Sequence, residues 1–398
     1  MNVSVSFKSV FGATMLIAGC CIGAGMIGLP VRSALAGFMP STVAMVLCCA
    51  FTTITGLLIL EATLWFDKKV NFATIAESIL GKKAKLITLF LFLALFYSLS
   101  VAYLDGGGII FADIFSAITG YAVPRSVGIA FCTVLVAGIT YAGTHMVNRL
   151  NQLLMLGLVV TYILLMMVGV MHASVLHVSH SNVLSTLNVI PIMLICFGYQ
   201  NLVPTVTYYL NKNVKHIRLA IIMGNLIPLF VYMLWNYVIL SILPADISLV
   251  KNAEIVTQLL ENTVPLISIV LLVKSFSLFA LLTSFIPNSI SLVDFVKDGV
   301  RHSFNNVIEN DVVCLCVVFI PSFLFTISYP HLFLNMLEFA GGFIDVLLFG
   351  VLPAMIILMG RKTMTTAKYQ VSGGMVTPIF VLIFSSIVLL LKLRVFYA

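Results

Sequence analysis

The feature that most constrains this chain is a series of eleven long apolar stretches, which together take up most of its length. A transmembrane helix needs about 20 mostly apolar residues, and it satisfies its own backbone hydrogen bonds in lipid. The stretches lack the two-residue alternation of a membrane β-barrel. We therefore predict an all-α polytopic membrane protein. Its predicted spans, numbered one to eleven, are 10–31, 38–60, 86–112, 126–144, 151–172, 188–210, 219–242, 265–293, 311–328, 334–359 and 376–393.

Composition excludes several classes of protein. Of the 398 residues, 61% are hydrophobic and 9% are charged, whereas soluble domains are about 45–50% apolar and ~25% charged. This balance argues against a soluble enzyme and against a nucleic-acid-binding protein. A channel is expected to carry a filter loop or rings of like charge, and the sequence shows neither. The eight cysteines all lie in the spans without a C-x-x-C pair, so we expect no metal site and no cofactor.

The distribution of basic residues predicts the orientation. With the N-terminus in the cytoplasm, fifteen of the 21 Lys and Arg residues lie in inner segments and five lie in outer segments, while Lys274 falls inside span eight. An excess of Lys and Arg marks the cytoplasmic side of membrane proteins. We therefore expect a cytoplasmic N-terminus and an external C-terminus. Span one is too long for a cleaved signal, so we expect it to be retained.

Two spans are interrupted by glycine, proline and polar residues. Span one contains AGCCIGAGMIGLP (18–30), and span six contains IPIMLICFGYQNLVP (190–204). Such breaks free backbone groups that lipid cannot satisfy, so they persist only inside protein or beside a cavity. Each break lies in the first span of a run of five, which is typical of inverted-repeat secondary transporters. We predict two inverted repeats (1–172 and 173–360), with helices 1 and 6 broken, and an extra helix in 361–398.

The two breaks suggest a binding site for an amino acid. Free N–H groups at the start of the second half-helix can hold a carboxylate. Free carbonyls at the end of the first half-helix can hold an ammonium group or a cation, and the polar residues of span six can line the side-chain pocket. The predicted substrate-binding residues are Gly23, Ala24, Gly25, Met26, Phe197, Gly198, Tyr199, Gln200 and Asn201.

The span-one glycines also admit two other interpretations. Gly23, Gly25 and Gly28 match the dinucleotide pattern G-x-G-x-x-G. That pattern requires a preceding strand and a βαβ unit, which an apolar helix does not provide. Small residues also allow two membrane helices to pack closely. The packing interpretation remains open for these glycines.

Ionisable and hydroxyl residues inside the spans are candidates for ion coupling, because a charge in the membrane is costly and is by default functional. A buried carboxyl group could carry a coupled proton, and Lys274 is a possible partner for one of the acids. The alternatives are a structural ion pair and side chains that snorkel out to the membrane interface. Adjacent hydroxyls in span eight could hold sodium or could bond to the helix backbone. The candidates are Asp105, Lys274, Thr283, Ser284, Glu338 and Asp345.

Arg32 lies just beyond Pro30 of span one. Its side chain could pair with Glu338 of span ten as an outer gate, or it could contact lipid headgroups.

Several segments together resemble a known family. They are 8–38 (KSVFGATMLIAGCCIGAGMIGLPVRSALAGF), 97–108 (YSLSVAYLDGGG), 190–210 (IPIMLICFGYQNLVPTVTYYL), 211–218 (NKNVKHIR), 281–285 (LLTSF) and 319–330 (FIPSFLFTISYP). They are similar to the aromatic and hydroxy amino acid permeases of bacteria.

The resemblance implies eleven helices around a LeuT-type inverted-repeat core. It also implies proton-coupled uptake of tyrosine or tryptophan across the bacterial inner membrane. The family motif falls on Ile22–Met26 and Pro30 in span one, and on Phe197, Gly198 and Pro204 in span six. This chain departs from the family at Asp105, at Asp345 and in the polar run Tyr199–Asn201.

The expectation is therefore a secondary active permease, not an enzyme, that imports tyrosine with a proton. Tryptophan, serine or threonine are alternative substrates, and sodium is the alternative coupling ion. A channel is the alternative from another class. The expected partners are a small amino acid and the lipid bilayer; no protein partner and no nucleic acid are indicated.

Overall fold

The computed structural model describes residues 7–171, 182–243, 256–261, 267–303, 311–364 and 369–397, and all regular elements in these ranges are helical. In chain order the α-helices are α1 (Phe7–Cys21), α2 (Gly25–Ala36), α3 (Phe38–Leu64), α4 (Phe72–Leu80), α5 (Lys82–Thr119), α6 (Arg125–Tyr141), α7 (Thr144–Met171), α8 (Val183–Thr186), α9 (Ile190–Cys196), α10 (Val203–Tyr209), α11 (Val214–Ile242), α12 (Val256–Glu261), α13 (Ile267–Ser303), α14 (Asp311–Ser328), α15 (Phe333–Phe339), α16 (Leu352–Thr363) and α17 (Val376–Tyr397). A 3₁₀ turn, Gln200–Leu202, joins α9 to α10. Two π-helical segments, Ala340–Asp345 and Leu347–Val351, join α15 to α16.

The membrane-spanning helices agree with the predicted class. Nine helices of the described residues are long and apolar enough to cross a membrane, counting α9–α10 and α15–α16 as one each. The pair α1 and α2 passes the same test together and bends by 58° at its break. The apolar helix α6 has 17 residues and coincides with predicted span four. The all-α polytopic class is thus confirmed, while the count of eleven and the inverted repeat stay predictions.

Helix α11 stabilises the broken first span through one face. Tyr232, Trp235 and Asn236 are three and four residues apart, so their side chains share a face of the helix. The Tyr232 hydroxyl lies 2.6 Å from the Cys21 carbonyl oxygen at the end of α1. Trp235 Nε1 donates to the Met26 carbonyl at 2.9 Å, and Asn236 Nδ2 donates to Ser33 Oγ at 2.7 Å. The break is therefore held by protein groups where lipid offers none.

Asp105 and the three glycines after it fasten α5 to its neighbours. The Asp105 carboxylate accepts from the backbone N–H groups of Leu332 and Phe333, both at 2.8 Å, at the start of α15. It also pairs with Arg125, which begins α6. The glycines let neighbouring groups approach closely, since a Cβ on Gly107 would lie 2.6 Å from Cys132 Sγ of α6. Asp105 thus has a complete structural role at this end of the bundle.

A second buried ion pair joins α3 to α16. Arg361 donates from Nε and Nη2 to the two carboxylate oxygens of Glu61, at 2.7 and 2.8 Å. The Val371 N–H donates to the same carboxylate at 2.7 Å. The Glu61 side chain is 0% exposed and that of Arg361 is 8% exposed. Since each charge is desolvated, each depends on the other for compensation.

We predict that Glu61→Gln lowers the free energy of unfolding in detergent by about 3–5 kcal/mol, because it leaves a buried guanidinium group without its counter-charge. Denaturant titration or thermal melting of the purified protein measures this effect. The matched control is Glu77→Gln, which breaks a half-exposed pair with Lys85 and should cost less than about 1 kcal/mol. If Glu61→Gln and Glu77→Gln had the same melting temperature, the structural role of the buried Glu61–Arg361 pair would be contradicted.

Candidate functional site

A cavity of about 510 Å³ lies where the two broken spans meet. Such a volume falls within the range of about 300–1,000 Å³ that is usual for small-molecule sites. Helix α1 lines it with residues up to the break, and the α9–α10 connection lines it from Ile195 to Leu202. Helices α5, α7 and α13 and the π segments complete the wall. The cavity extends from the breaks toward the face at which α1 and α5 begin, which we call the N-terminal face.

The wall combines aromatic, amide and hydroxyl groups. The ring-bearing residues are Phe92, Phe96, Tyr103 and Phe349. The amide residues are Asn151, Asn201 and Asn288, of which Asn288 is held by Ser100 Oγ at 2.9 Å. A flat apolar wall with a few fixed polar groups suits a ligand that has both a ring and charged ends.

The structure brings only part of the predicted site to this cavity. The sequence-predicted residues that line it are Gly198, Asn201, Thr283, Ser284 and Asp345. Ile22 and Cys20 line it from the span-one side. Other predicted residues lie next to it but face different neighbours.

Three span-six residues face away from the cavity. Tyr199 is 0% exposed and donates its hydroxyl to the Thr52 carbonyl of α3 at 3.0 Å. Gln200 Nε2 lies 3.3 Å from Thr55 Oγ1 on the same helix. Phe197 packs edge-on against Tyr232, with the two ring centroids 5.3 Å apart. Among Tyr199, Gln200 and Asn201, the predicted pocket-lining set, Asn201 alone reaches the cavity.

The break of span one has close partners on both sides. The Ala24 N–H donates to Ser284 Oγ of α13 at 2.9 Å. A Cβ on Gly25 would lie 2.5 Å from Cys196 Sγ of α9. Met26 is fully buried and its carbonyl is taken by Trp235. Gly25 therefore has a packing role, the alternative that the sequence left open.

The two breaks are linked by a single hydroxyl group. Tyr232 lies 2.6 Å from the Cys21 carbonyl oxygen and 2.9 Å from the Cys196 carbonyl oxygen. These carbonyls end the first half-helices of spans one and six. Sequence reasoning missed Tyr232, because nothing in its apolar surroundings indicates which backbone atoms it would reach. The one sequence feature that could have indicated Tyr232 is its hydroxyl-bearing side chain in the middle of an apolar span.

Asp345 is the acidic residue of the cavity. It ends the first π segment, and such segments often occur at functional sites. It is 4% exposed, and its Oδ1 atom has no hydrogen-bond partner among the described residues. A Cβ on Gly198 would lie 3.8 Å from that oxygen, so the carboxyl group faces the break of span six.

The remaining candidate charges lie elsewhere. Glu338 pairs with Arg32 at 2.5 Å and with Lys392 at 2.6 Å. Of the two alternatives for Arg32, the contact with Glu338 is thus formed, while its role as a gate stays a prediction. Asp105 is satisfied by Arg125 and by backbone N–H groups. Lys274 is half-buried in α13, nine residues before Thr283 and thus about 14 Å along the axis. None of these three lines the cavity.

The bundle is closed at the face opposite the N-terminal face. There Glu338 joins α2, α15 and α17 through Arg32 and Lys392. Below this ion cluster, a Cβ on Gly28 would lie 2.6 Å from both Ile192 and Leu334. These tight contacts separate the cavity from the opposite face in the part of the chain that the structure describes.

We predict that Gly25→Ala impairs transport and lowers the melting temperature, because the added methyl group meets Cys196 Sγ. The double variant Gly25→Ala/Cys196→Ala should recover most of the transport activity and most of the melting temperature. The remaining Cys196 atoms lie 3.7 Å from the added methyl group, which is an ordinary contact distance. Uptake in cells and melting in detergent measure the rescue. A double variant no better than Gly25→Ala would contradict the packing role.

Known proteins similar to this chain are membrane transport proteins. The model of the tryptophan/tyrosine permease family matches residues 6–392. Tyrosine-specific transport system 1 of Haemophilus influenzae is 28% identical, over 94% of this chain and 93% of that protein. The tryptophan-specific transport protein of the same organism is 27% identical, over 94% and 93%. Glutamine transporter 2 of Aliivibrio fischeri is 27% identical, over 90% and 91%.

These matches cover nearly the whole chain, including both broken spans and the helices around the cavity. They confirm the resemblance drawn from the span-one and span-six motifs, and with it a multi-pass membrane protein of a transporter family. The chain belongs to the tryptophan/tyrosine permease family.

Proposed function

We propose that this protein imports an aromatic amino acid across the bacterial inner membrane by alternating access, with tyrosine as its main substrate. One proton is transported together with the amino acid. The observation that carries the proposal is the cavity at the junction of the two broken spans, with its aromatic wall and single carboxyl group. The tyrosine- and tryptophan-specific relatives support the same substrate class.

The cavity suits the chemistry of an aromatic amino acid. The start of α2 adjoins Ile22 of the cavity wall, and the partial positive charge of a helix N-terminus favours the substrate carboxylate at this end of the cavity. The Gly198 region supplies carbonyls for the ammonium group. Tyr103 and Phe96 offer ring faces and edges to an aromatic side chain. Asn201, exposed to the cavity, can meet a phenolic hydroxyl.

Alternating access fits a cavity that lies on one side of the two breaks. Its lining extends from the breaks toward the N-terminal face, which the basic residues predict to be cytoplasmic. The opposite end is closed by the Glu338 ion cluster and by the packing around Gly28. A cavity closed at one end favours a carrier over a channel, because a channel requires a path through both faces at once.

Proton coupling is favoured over sodium coupling by a buried carboxyl group in the cavity wall. Thr283 Oγ1 donates to the Phe279 carbonyl of its own helix at 2.8 Å. Ser284 Oγ accepts from the Ala24 N–H. Both hydroxyls are thus already bonded to backbone, the structural alternative considered for this pair. Asp345 supplies a buried carboxyl group that a proton can neutralise.

Uptake of labelled tyrosine into proteoliposomes tests this function. We predict accumulation driven by a pH gradient, acid outside, with competition by excess tryptophan but not by serine. A sodium gradient at equal pH should drive none. Competition by excess glutamine would indicate the substrate named for the Aliivibrio fischeri relative, whereas an aromatic specificity predicts no competition by glutamine.

Accumulation with sodium alone would overturn the proton assignment. Absence of tyrosine uptake under either gradient would overturn the substrate, and the same assay with tryptophan and glutamine would identify the alternative.

Labelling of Cys20 tests the open end of the cavity. Its thiol is exposed, while that of neighbouring Cys21 is buried. In a Cys316→Ser background, which removes the other exposed thiol, a charged maleimide added at the N-terminal face should label Cys20. Saturating substrate should slow the reaction. The matched control Cys20→Ala, which keeps Cys21, should not react; labelling unaffected by substrate would contradict the placement of the site.

A further inference from the structure

We propose that Asp345 carries the coupled proton and that its protonation lets the loaded cavity close without a net charge. This inference rests on the proposed function and selects one residue from the six coupling candidates. It depends on three observations: the place of Asp345 in the wall, its lack of a counter-charge, and the occupation of the other acids.

The first observation is geometric. Asp345 is more than nine-tenths buried, yet it lines the cavity and has an oxygen without a hydrogen-bond partner among the described residues. A buried carboxyl group in this state is stable when neutral or when a bound group satisfies it. The unpartnered oxygen faces Gly198, where the substrate ammonium is expected.

The second observation concerns charge. Among the described residues of the cavity wall, Asp345 is the one carboxyl group, and none is Lys, Arg or His. The substrate is a zwitterion, so its ammonium and carboxylate charges cancel. With Asp345 ionised, the loaded cavity would therefore keep one net negative charge in a site of low dielectric constant, which is costly. One proton on Asp345 makes the loaded cavity neutral before it closes.

The ionisable groups around Asp345 do not supply a positive charge that would balance its carboxylate. From α1, the thiols of Cys20 and Cys21 lie within electrostatic range of its carboxyl group. From α5, the nearest ionisable group of the wall is the hydroxyl of Tyr103. From α17, Lys392 reaches the turn at Gly342 with its stem, but its ammonium group binds Glu338.

The third observation removes the competing acids. Glu338, on the same span, holds two basic side chains. Asp105 holds Arg125 and two backbone N–H groups. Both acids therefore already have in this structure the counter-charges that Asp345 lacks.

The proton step balances simply. Water at the external face supplies one proton, which adds to a carboxylate oxygen of Asp345 as the substrate binds. After the cavity opens to the N-terminal face, substrate and proton both leave to water there. The ionised, empty carrier then returns, which links one proton to each substrate molecule.

Asp345→Asn tests the proposal, because asparagine imitates the neutral acid. The wild type should concentrate tyrosine up to about tenfold for each pH unit imposed, the ratio that one coupled proton supports. Asp345→Asn should retain exchange of labelled for unlabelled tyrosine but accumulate none above the external concentration. Its exchange rate should also lose the pH dependence of the wild type.

The control is Glu77→Gln, an acid outside the cavity on α4, which should keep full pH-driven accumulation. If the wild type shows no pH-driven uptake, the proposed function fails. If the wild type does and Asp345→Asn accumulates equally well, the assignment of Asp345 alone fails.

A measurement on the wild type covers the case in which the variant does not fold. Dicyclohexylcarbodiimide reacts with protonated carboxyl groups in apolar sites and leaves a mass-shifted N-acylurea. We expect mass spectrometry to find the adduct on Asp345, with loss of pH-driven uptake. Inhibition with an adduct only on another acid, or a modified Asp345 with full uptake, would overturn the proposal.

Discussion

The structure depends on how two interrupted helices satisfy their backbone groups away from water. The Tyr232 hydroxyl answers this constraint for both breaks, because it lies within hydrogen-bond distance of the carbonyls of Cys21 and Cys196. Trp235, one turn further along α11, takes the Met26 carbonyl. In lipid each unsatisfied group costs several kcal/mol. One helix face therefore makes the broken geometry possible.

This arrangement separates groups that hold the fold from groups that face the cavity. Tyr199 and Gln200 bind α3, and Gly25 accommodates Cys196. Gly198, Asn201 and Asp345 remain at the cavity wall. The polar residues of span six thus divide between a structural face and a ligand face. A carrier needs both, since a break without rigid support could not present its N–H and carbonyl groups in a fixed geometry.

The charged residues show the same division. The ion pairs of Glu61 and Glu338 each join helices that are distant in sequence. Each pair is compensated, as buried charges must be. Asp345 is the exception among the described acids of the membrane core, and it lies beside the expected substrate. An uncompensated acid is costly to stability, so its place in the cavity favours a role in transport.

Much of this was predictable from local sequence. Glycine and proline within apolar runs located both breaks, and the motifs around them identified the family. The partners of the polar residues were not predictable, because a residue's place in a span does not fix the rotation of its helix or the neighbour it meets. Arg125 and Lys392 are thus counted in the sequence only among the five basic residues of the outer segments, and not as partners of Asp105 and Glu338. The π segments before and after Val346, which set the orientation of Asp345, leave no periodic signal of their own.

The central claim is that the substrate lies between the two breaks. An experimental structure with bound tyrosine tests it most directly. The account predicts density for the carboxylate beside Ile22 at the start of α2, for the ammonium group near Gly198 and Asp345, and for the ring against Tyr103. A separate pocket of about 300 Å³ at the opposite face is lined by Arg32, Glu338 and Lys392. Density in that pocket, with the cavity at the breaks empty under saturating tyrosine, would contradict the account.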